Sequence, residues 1–177
     1  ISGERVALLE GPTDIIDTLG FSPNASAVLA ANWDNNAYVW PSFSDKPAPD
    51  RLPHDDWVMS AHYSPDGSRI LTGSFDGTAV VWDAGRKTRL LTMNVSGSRC
   101  YGAVFGPEGR LALTSSDDGL VQIWDSWTGT EQARLTGGTG AATNAIFSPE
   151  GRRVMAGFDD GTARLWTLPD AVLSLPA

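Results

Sequence analysis

Ser74-Phe75-Asp76-Gly77-Thr78-Ala79-Val80-Val81-Trp82-Asp83 is answered forty-two residues later by Ser116-Asp117-Asp118-Gly119-Leu120-Val121-Gln122-Ile123-Trp124-Asp125. The interval holds along the whole chain, because Trp40, Trp82, Trp124 and Trp166 are each 42 residues apart (82 − 40 = 124 − 82 = 166 − 124 = 42). Two further markers keep the same register. An aromatic-x-Pro element recurs at Phe21, Tyr63, Phe105 and Phe147, and an Asp stands six residues before each Trp at Asp34, Asp76, Asp118 and Asp160. The chain is therefore an array of one unit.

Within the second unit, residues 57–63, 69–73, 79–82 and 89–93 are short runs rich in β-branched, aromatic and aliphatic side chains, and such runs read as strands. Between them stand Pro65-Asp66-Gly67, Phe75-Asp76-Gly77 and Asp83-Ala84-Gly85, where Pro fixes φ and Gly accepts positive φ. Strand, tight turn, strand is an antiparallel meander, and no window carries a 3.6-residue apolar period over three turns. A period near 40 to 45 residues with a Trp-Asp signature marks a β-propeller whose repeats each supply four strands. The expectation is an all-β fold, with residues 1–10 as an outer strand of a preceding blade, blades at 11–52, 53–94 and 95–136, and a fourth blade with a tail at 137–177.

These residues resemble the WD-repeat (WD40) β-propeller family across essentially the whole chain. The resemblance implies a hydrogen-bonded tetrad inside each blade, formed by the turn Asp, the Trp, a Ser/Thr of the second strand and a His ahead of the first. Carried over by register, only the second unit holds a full set, His54, Thr72, Asp76 and Trp82. The corresponding His and Thr positions elsewhere are Pro12 and Ala30, Ser96 and Thr114, and Gly138 and Ala156. Three blades should thus depend more on packing, and the second should be the most rigid, since a buried polar network stabilises when its members are satisfied.

Four blades are few for this family, which typically needs about six to eight to meet its own end. Residues 2–10 match the outermost strand of a preceding blade, and residues 5–10 would form an open edge. Two arrangements remedy this: further blades of a longer propeller, of which this chain, starting at Ile1, would be a piece, or two copies joined head to tail. Residues 171–175 could instead supply the outer strand of the last blade.

Composition narrows the partners. With 21 acidic against 13 basic residues the net charge is −8, and no run of Lys/Arg exceeds two. Nucleic acid and anionic membranes are both gripped by Lys/Arg clusters, so neither is expected. The single Cys100 allows no internal disulfide, which points to a reduced, cytoplasmic setting. The sequons at Asn24 and Asn94 would matter only in a secreted protein. No stretch approaches the ~20 apolar residues of a membrane span.

Catalysis and cofactors find little footing. The Asp-containing turns lack the alternating oxygen ligands of a calcium loop, so no metal is expected. Gly137-Gly138-Thr139-Gly140 precedes a strand rather than a helix and offers no helix-terminus anion site. His54, His62 and Cys100 share no loop, as a nucleophile and its base require. No cofactor or enzymatic role is expected.

In the family, ligands meet the face made by the loops entering each first strand and by the Asp turns. That register places Trp33, Trp57, Met59 and Phe75 on adjacent units, with Arg99 and Tyr101 at the margin. Exposed aromatics on loops are partner anchors. The expectation is a protein-interaction or scaffold module binding a protein or peptide, with a structural assembly unit that completes a ring by edge pairing as the alternative.

Overall fold

The computed structural model describes residues 3, 7–41, 48–96 and 99–174. Fifteen strands and one short helix are found among them. The first sheet is β1 (Ile16–Phe21), β2 (Ala27–Asn32), β3 (Asn36–Pro41) and β4 (Asp50–Pro53). The second is β5 (Val58–Tyr63), β6 (Arg69–Ser74), β7 (Thr78–Asp83) and β8 (Arg89–Asn94). The third is β9 (Cys100–Phe105), β10 (Leu111–Ser116), β11 (Val121–Asp125) and β12 (Glu131–Leu135). The fourth holds β13 (Ala142–Phe147), β14 (Arg153–Phe158) and β15 (Ala163–Thr167), followed by α1 (Asp170–Leu173). Every sheet is an antiparallel meander in chain order, four-stranded in the first three and three-stranded among the described residues in the last. The all-β propeller-blade architecture read from the repeat is thus the observed one.

The turns explain the meander. The residue after each repeated Asp has positive φ, at Asn35 (70°), Gly77, Gly119 and Gly161, which reverses the chain from the second strand into the third. At the preceding turn Gly67, Gly109 and Gly151 do the same, and Ala25 (57°) takes the corresponding place in the first unit, a conformation that is uncommon for a residue with a Cβ.

The core lies between sheets. Leu29, Val39 and Leu52 of the first sheet bury against Val58, Ile70 and Trp82 of the second. The same positions pack the second on the third, through Leu71, Val81 and Met93 against Cys100, Ala103 and Trp124. Leu113 and Ile123 then meet Ala145, Val154 and Phe158 of the fourth sheet. Stacking of this kind makes each blade's stability depend on its neighbours. The contact is tight at Gly73, where an added Cβ would come within 2.8 Å of Ser60 Oγ, 2.9 Å of Cys100 Sγ and 3.0 Å of Ala103 Cβ. Gly73→Ala is expected to lower unfolding free energy by about 1–3 kcal/mol through overpacking; an unchanged denaturant midpoint would show that the interface yields freely.

Two expectations at the ends are corrected. Residues 1, 2 and 4–6 of the anticipated outer strand, and so part of the 5–10 edge, lie outside the described residues, but residues 7–10 form no strand. They dock instead on the first sheet: Leu9 packs against Ala30, Tyr38 and Trp40, and Trp40 Nε1 donates to Glu10 O at 3.0 Å. The segment 171–175, whose last residue is likewise undescribed, is no strand either; α1 covers its start and buries Val172 beside Leu168 in the core shared by the third and fourth sheets.

Candidate protein-interaction face

The inner strands β1, β5, β9 and β13 share a local irregularity. In each the pairing register slips by one residue, leaving Asp17, Met59, Tyr101 and Thr143 as the extra residue of a bulge. A bulge bends its strand and re-aims a side chain, and here it does so four times at the same end of the blades. Just beyond it, the loop before the first strand is tied to the Asp turn by one backbone hydrogen bond per blade. Trp33 N donates to Ile15 O, Phe75 N to Trp57 O, Asp117 N to Arg99 O and Asp159 N to Ala141 O. Of the residues read from the sequence as a ligand face, Trp57 and Phe75 are made neighbours in this way, and Trp33 and Arg99 are each tied to the opposite segment of their own blade.

Across blades 1 to 3 the rings join into one ladder. Trp33 stacks on Trp57 with centroids 4.4 Å apart and planes 7° from parallel. Trp57 continues onto Phe75 at 5.7 Å, and Phe75 meets Tyr101 edge-on at 5.0 Å. The Arg99 guanidinium lies 5.3 Å from the Phe75 centroid, within cation–π reach. Trp57 is exposed, 38% of its surface facing solvent, whereas Trp33, Phe75 and Tyr101 are half-buried. Met59 is largely buried, with 9% of its surface exposed. Trp33 Nε1 has no partner in full hydrogen-bond geometry although it faces the Asp17 carboxylate, and burial raises the Asp17 pKa, opposed by that N–H.

Behind this face, the second blade contains the chain of bonds the resemblance implied. Trp82 Nε1 donates to Thr72 Oγ1 at 2.8 Å, Thr72 Oγ1 lies 2.7 Å from His54 Nε2, and His54 Nδ1 lies 2.9 Å from Asp76 Oδ2. A single neutral tautomer, Nδ1–H donating to the carboxylate and Nε2 accepting the threonine proton, satisfies all three. Burial works against the Asp76 charge, yet hydrogen bonds from His54, Thr78 and the Asp55 N–H outweigh it and hold the carboxyl well below the ordinary range.

The other blades do not rely on packing alone; each draws a polar side chain of its third strand into hydrogen bonds. In the first, Tyr38 OH donates to Asp34 Oδ2 at 2.7 Å; burial and Asp34 push the phenol up to about 12. In the third, Trp124 Nε1 still donates to Thr114 Oγ1 at 2.9 Å, while Gln122, fully buried, accepts from Ser96 Oγ and donates to Glu131. In the fourth, Arg164 reaches Asp160 Oδ2 at 3.4 Å and lies over the Phe158 ring at 4.7 Å, and Trp166 meets that ring edge-on. Tyr38, Gln122 and Arg164 all stand two residues before the repeated Trp, where the His-bearing blade has Val80. That covariation inside one sequence was the available signal. Asp118, too, serves its own turn, accepting from Ser116 Oγ and the Leu120 N–H.

Burial pushes the Cys100 thiol up to about 12, which suppresses the thiolate, and His62 is lowered by burial. Among the described residues no group of three or more His, Cys, Asp or Glu could hold a metal ion, and no helix is long and apolar enough to cross a membrane.

Comparison with known proteins agrees with this geometry. Among solved structures, the crystal structure of the computationally designed Ika4 protein is 23% identical with a TM-score of 0.81, over 95% of this chain and 100% of that one. The computationally designed Ika8 protein is 23% identical with a TM-score of 0.80, over 92% of this chain and 49% of that one. At that identity the likeness is one of fold. No curated protein matches the chain. The model of the family described as WD domain, G-beta repeat matches residues 3–41, 50–83, 87–125 and 129–167, and repeats of this family generally mediate protein–protein interaction without catalysis. With four matches spanning the bulk of the sequence, the chain belongs to the WD-repeat family.

Proposed function

We propose that the chain is a non-catalytic interaction module or scaffold that presents the Trp33–Trp57–Phe75–Tyr101 ladder, with Arg99 beside it, to a protein or peptide partner. The observation that carries this reading is the ladder itself: four rings from three blades in continuous contact, with Trp57 left open to solvent. Rigid aromatic surface of this kind loses little conformational entropy on binding and anchors interfaces. Met59, being buried, is not part of the proposed contact surface. The net charge of −8 disfavours nucleic acid and anionic membrane as partners, and a lone buried thiol suits a reducing, cytoplasmic setting.

Peptides selected from a displayed library against the chain, then titrated by calorimetry, test the reading. Trp57→Ala is expected to weaken selected binders by about 2 kcal/mol, and Trp57→Ala with Phe75→Ala by more, as for hot-spot anchors. Undiminished affinity in a folded double variant would remove the face from consideration.

A second reading, assembly by edge pairing, is favoured by β15, which carries no fourth strand beyond it among the described residues and so presents an unpaired backbone edge. On that reading, deletion of residues 1–10 abolishes self-association and leaves peptide binding by the aromatic face untouched.

A further inference from the structure

The contact between consecutive sheets is made three times inside the chain by equivalent positions, and both halves of a fourth such contact stand open. Leu29, Leu71 and Leu113 are each 0% exposed, but Met155, next in the series, is 46% exposed. Val39, Val81 and Ile123 reach at most 3%, but Leu165 is 63% exposed. On the opposite end of the array, Ala61, Ala103 and Ala145 are at most 5% exposed where Leu19 is 67%, and Val58, Cys100 and Ala142 are 0% where Ile16 is 43%. These are not scattered surface residues; they are the two complementary faces of the blade-to-blade interface.

We propose that a second copy of this chain covers both faces, the first sheet of each copy docking on the fourth sheet of the other, to close a ring of eight sheets. The pairing continues the interface already repeated within the chain, and it concerns sheet faces rather than the β15 edge or the aromatic ladder. Size complementarity follows the register. Gly73 stands against Cys100 and Ala103; the equivalent Gly157 stands against Ile16 and Leu19 of the second copy, so the bulkiest pair in that series meets a position with no side chain. Space exists there, since an added Cβ on Gly157 would find only Thr143 Oγ1, at 3.9 Å.

Polar register agrees. The Ala61 N–H leaves its own sheet to donate to Thr18 Oγ1 of the preceding one at 3.2 Å, and Ala103 N–H donates to Ser60 Oγ at 2.9 Å. Asn144 occupies the position of Thr18 and Ser60 on the fourth sheet, exposed and with no side-chain partner among the described residues. Its amide oxygen is placed to accept the Leu19 N–H of the second copy. Because each copy offers one face of each kind, two equivalent contacts leave neither open and the assembly ends at two, rather than growing as a filament.

Sedimentation equilibrium across a concentration series tests this. The expected species is twice the 18.8 kDa chain. Leu19→Asp and Leu165→Asp, made at side chains exposed in the single copy and checked for folding by near-ultraviolet circular dichroism, should each raise the dimer dissociation constant by about a hundredfold or more. Mixed together they should recover a heterodimer, since one intact contact survives between the unaltered fourth sheet of the first variant and the unaltered first sheet of the second. Asn144→Ala should weaken the dimer less, and Trp57→Ala should leave its mass unchanged. A species of 18.8 kDa at every concentration, open-ended assemblies, or association that survives both Asp substitutions and fails only on deletion of residues 1–10 would overturn the proposal.

Discussion

Replacement of His54 by alanine lowers the unfolding free energy by about 3 kcal/mol, as expected when one member of a buried hydrogen-bond network that includes a carboxylate is removed. The imidazole is almost wholly inside the protein and holds Asp76 and Thr72 at once. Its loss leaves the carboxylate with Thr78 and a backbone N–H, leaves the Thr72 hydroxyl only its longer bond to Val80 O at 3.4 Å, and opens a void beside Trp82. The effect carries a pH signature. The Asp76 pKa is depressed in the folded protein below its ordinary 3.8, so its contribution is present above that value and is lost as pH falls through the folded pKa. The native chain should therefore lose stability with acid below about pH 4, and His54→Ala should show a shallower slope there. Urea unfolding at stepped pH measures both, and hydrogen exchange tests whether β6 and β7 are the slowest strands in the native chain. A loss under about 1 kcal/mol with an unaltered acid slope would mean that the tetrad is only packing.

Arg69→Met is expected to cost a similar amount, about 3 kcal/mol, for a different reason. Arg69 is 4% exposed although it is a cation. It leaves β6 of the second blade and ends in the third, where Nη1 donates to Ser126 O at 3.0 Å and Ser126 Oγ at 2.9 Å, and Nη2 donates to Gly109 O at 2.7 Å. The guanidinium lies 3.9 Å from the Trp127 centroid and 5.1 Å from that of Phe105. Methionine keeps the apolar stem but strips three hydrogen bonds and both ring contacts. Lysine should not rescue, because an ammonium cannot match a planar fork between two carbonyls and two rings. Denaturant unfolding gives the loss, and Trp127 fluorescence should shift in the folded variant. Full rescue by Arg69→Lys would reduce the role to that of a buried charge.

The strands were legible because one period fixed them all: the run 69–73 became Arg69–Ser74, and 89–93 became Arg89–Asn94. The members of the His54 tetrad were legible by register, since a motif set on one blade's turns and strands is local to about thirty residues. What stayed hidden depended on contacts that periodicity does not carry. Arg69 and Trp127 are separated by 58 positions (127 − 69) and meet only because blades stack. Met59 was placed on the ligand face by the register of the family's loops, but at the register slip between Val58 and Ser60 it is buried, whereas Asp17 and Thr143 at the equivalent slips are exposed. Residues 171–175 were read as able to supply an outer strand, yet their start lies in α1 and Val172 is buried beside Leu168. Tyr38, Gln122 and Arg164 passed without notice, although a polar residue stands two before the repeated Trp wherever histidine is missing.

The frames of sequence and structure are offset. The family repeat at residues 87–125 begins with β8, the last strand of the second sheet, and ends with β11, the third strand of the next. Each repeat is thus shared between two sheets, and a crossover that deletes 42 residues at any matching pair of positions leaves every remaining strand with a neighbour on the side it had before. Joining Ser74 to Asp117, for example, would hand β11 and β12 to the sheet that β5 and β6 began. Genes of this design can change their number of blades by simple unequal recombination, with the breakpoint free to fall inside a sheet and still leave no sheet severed.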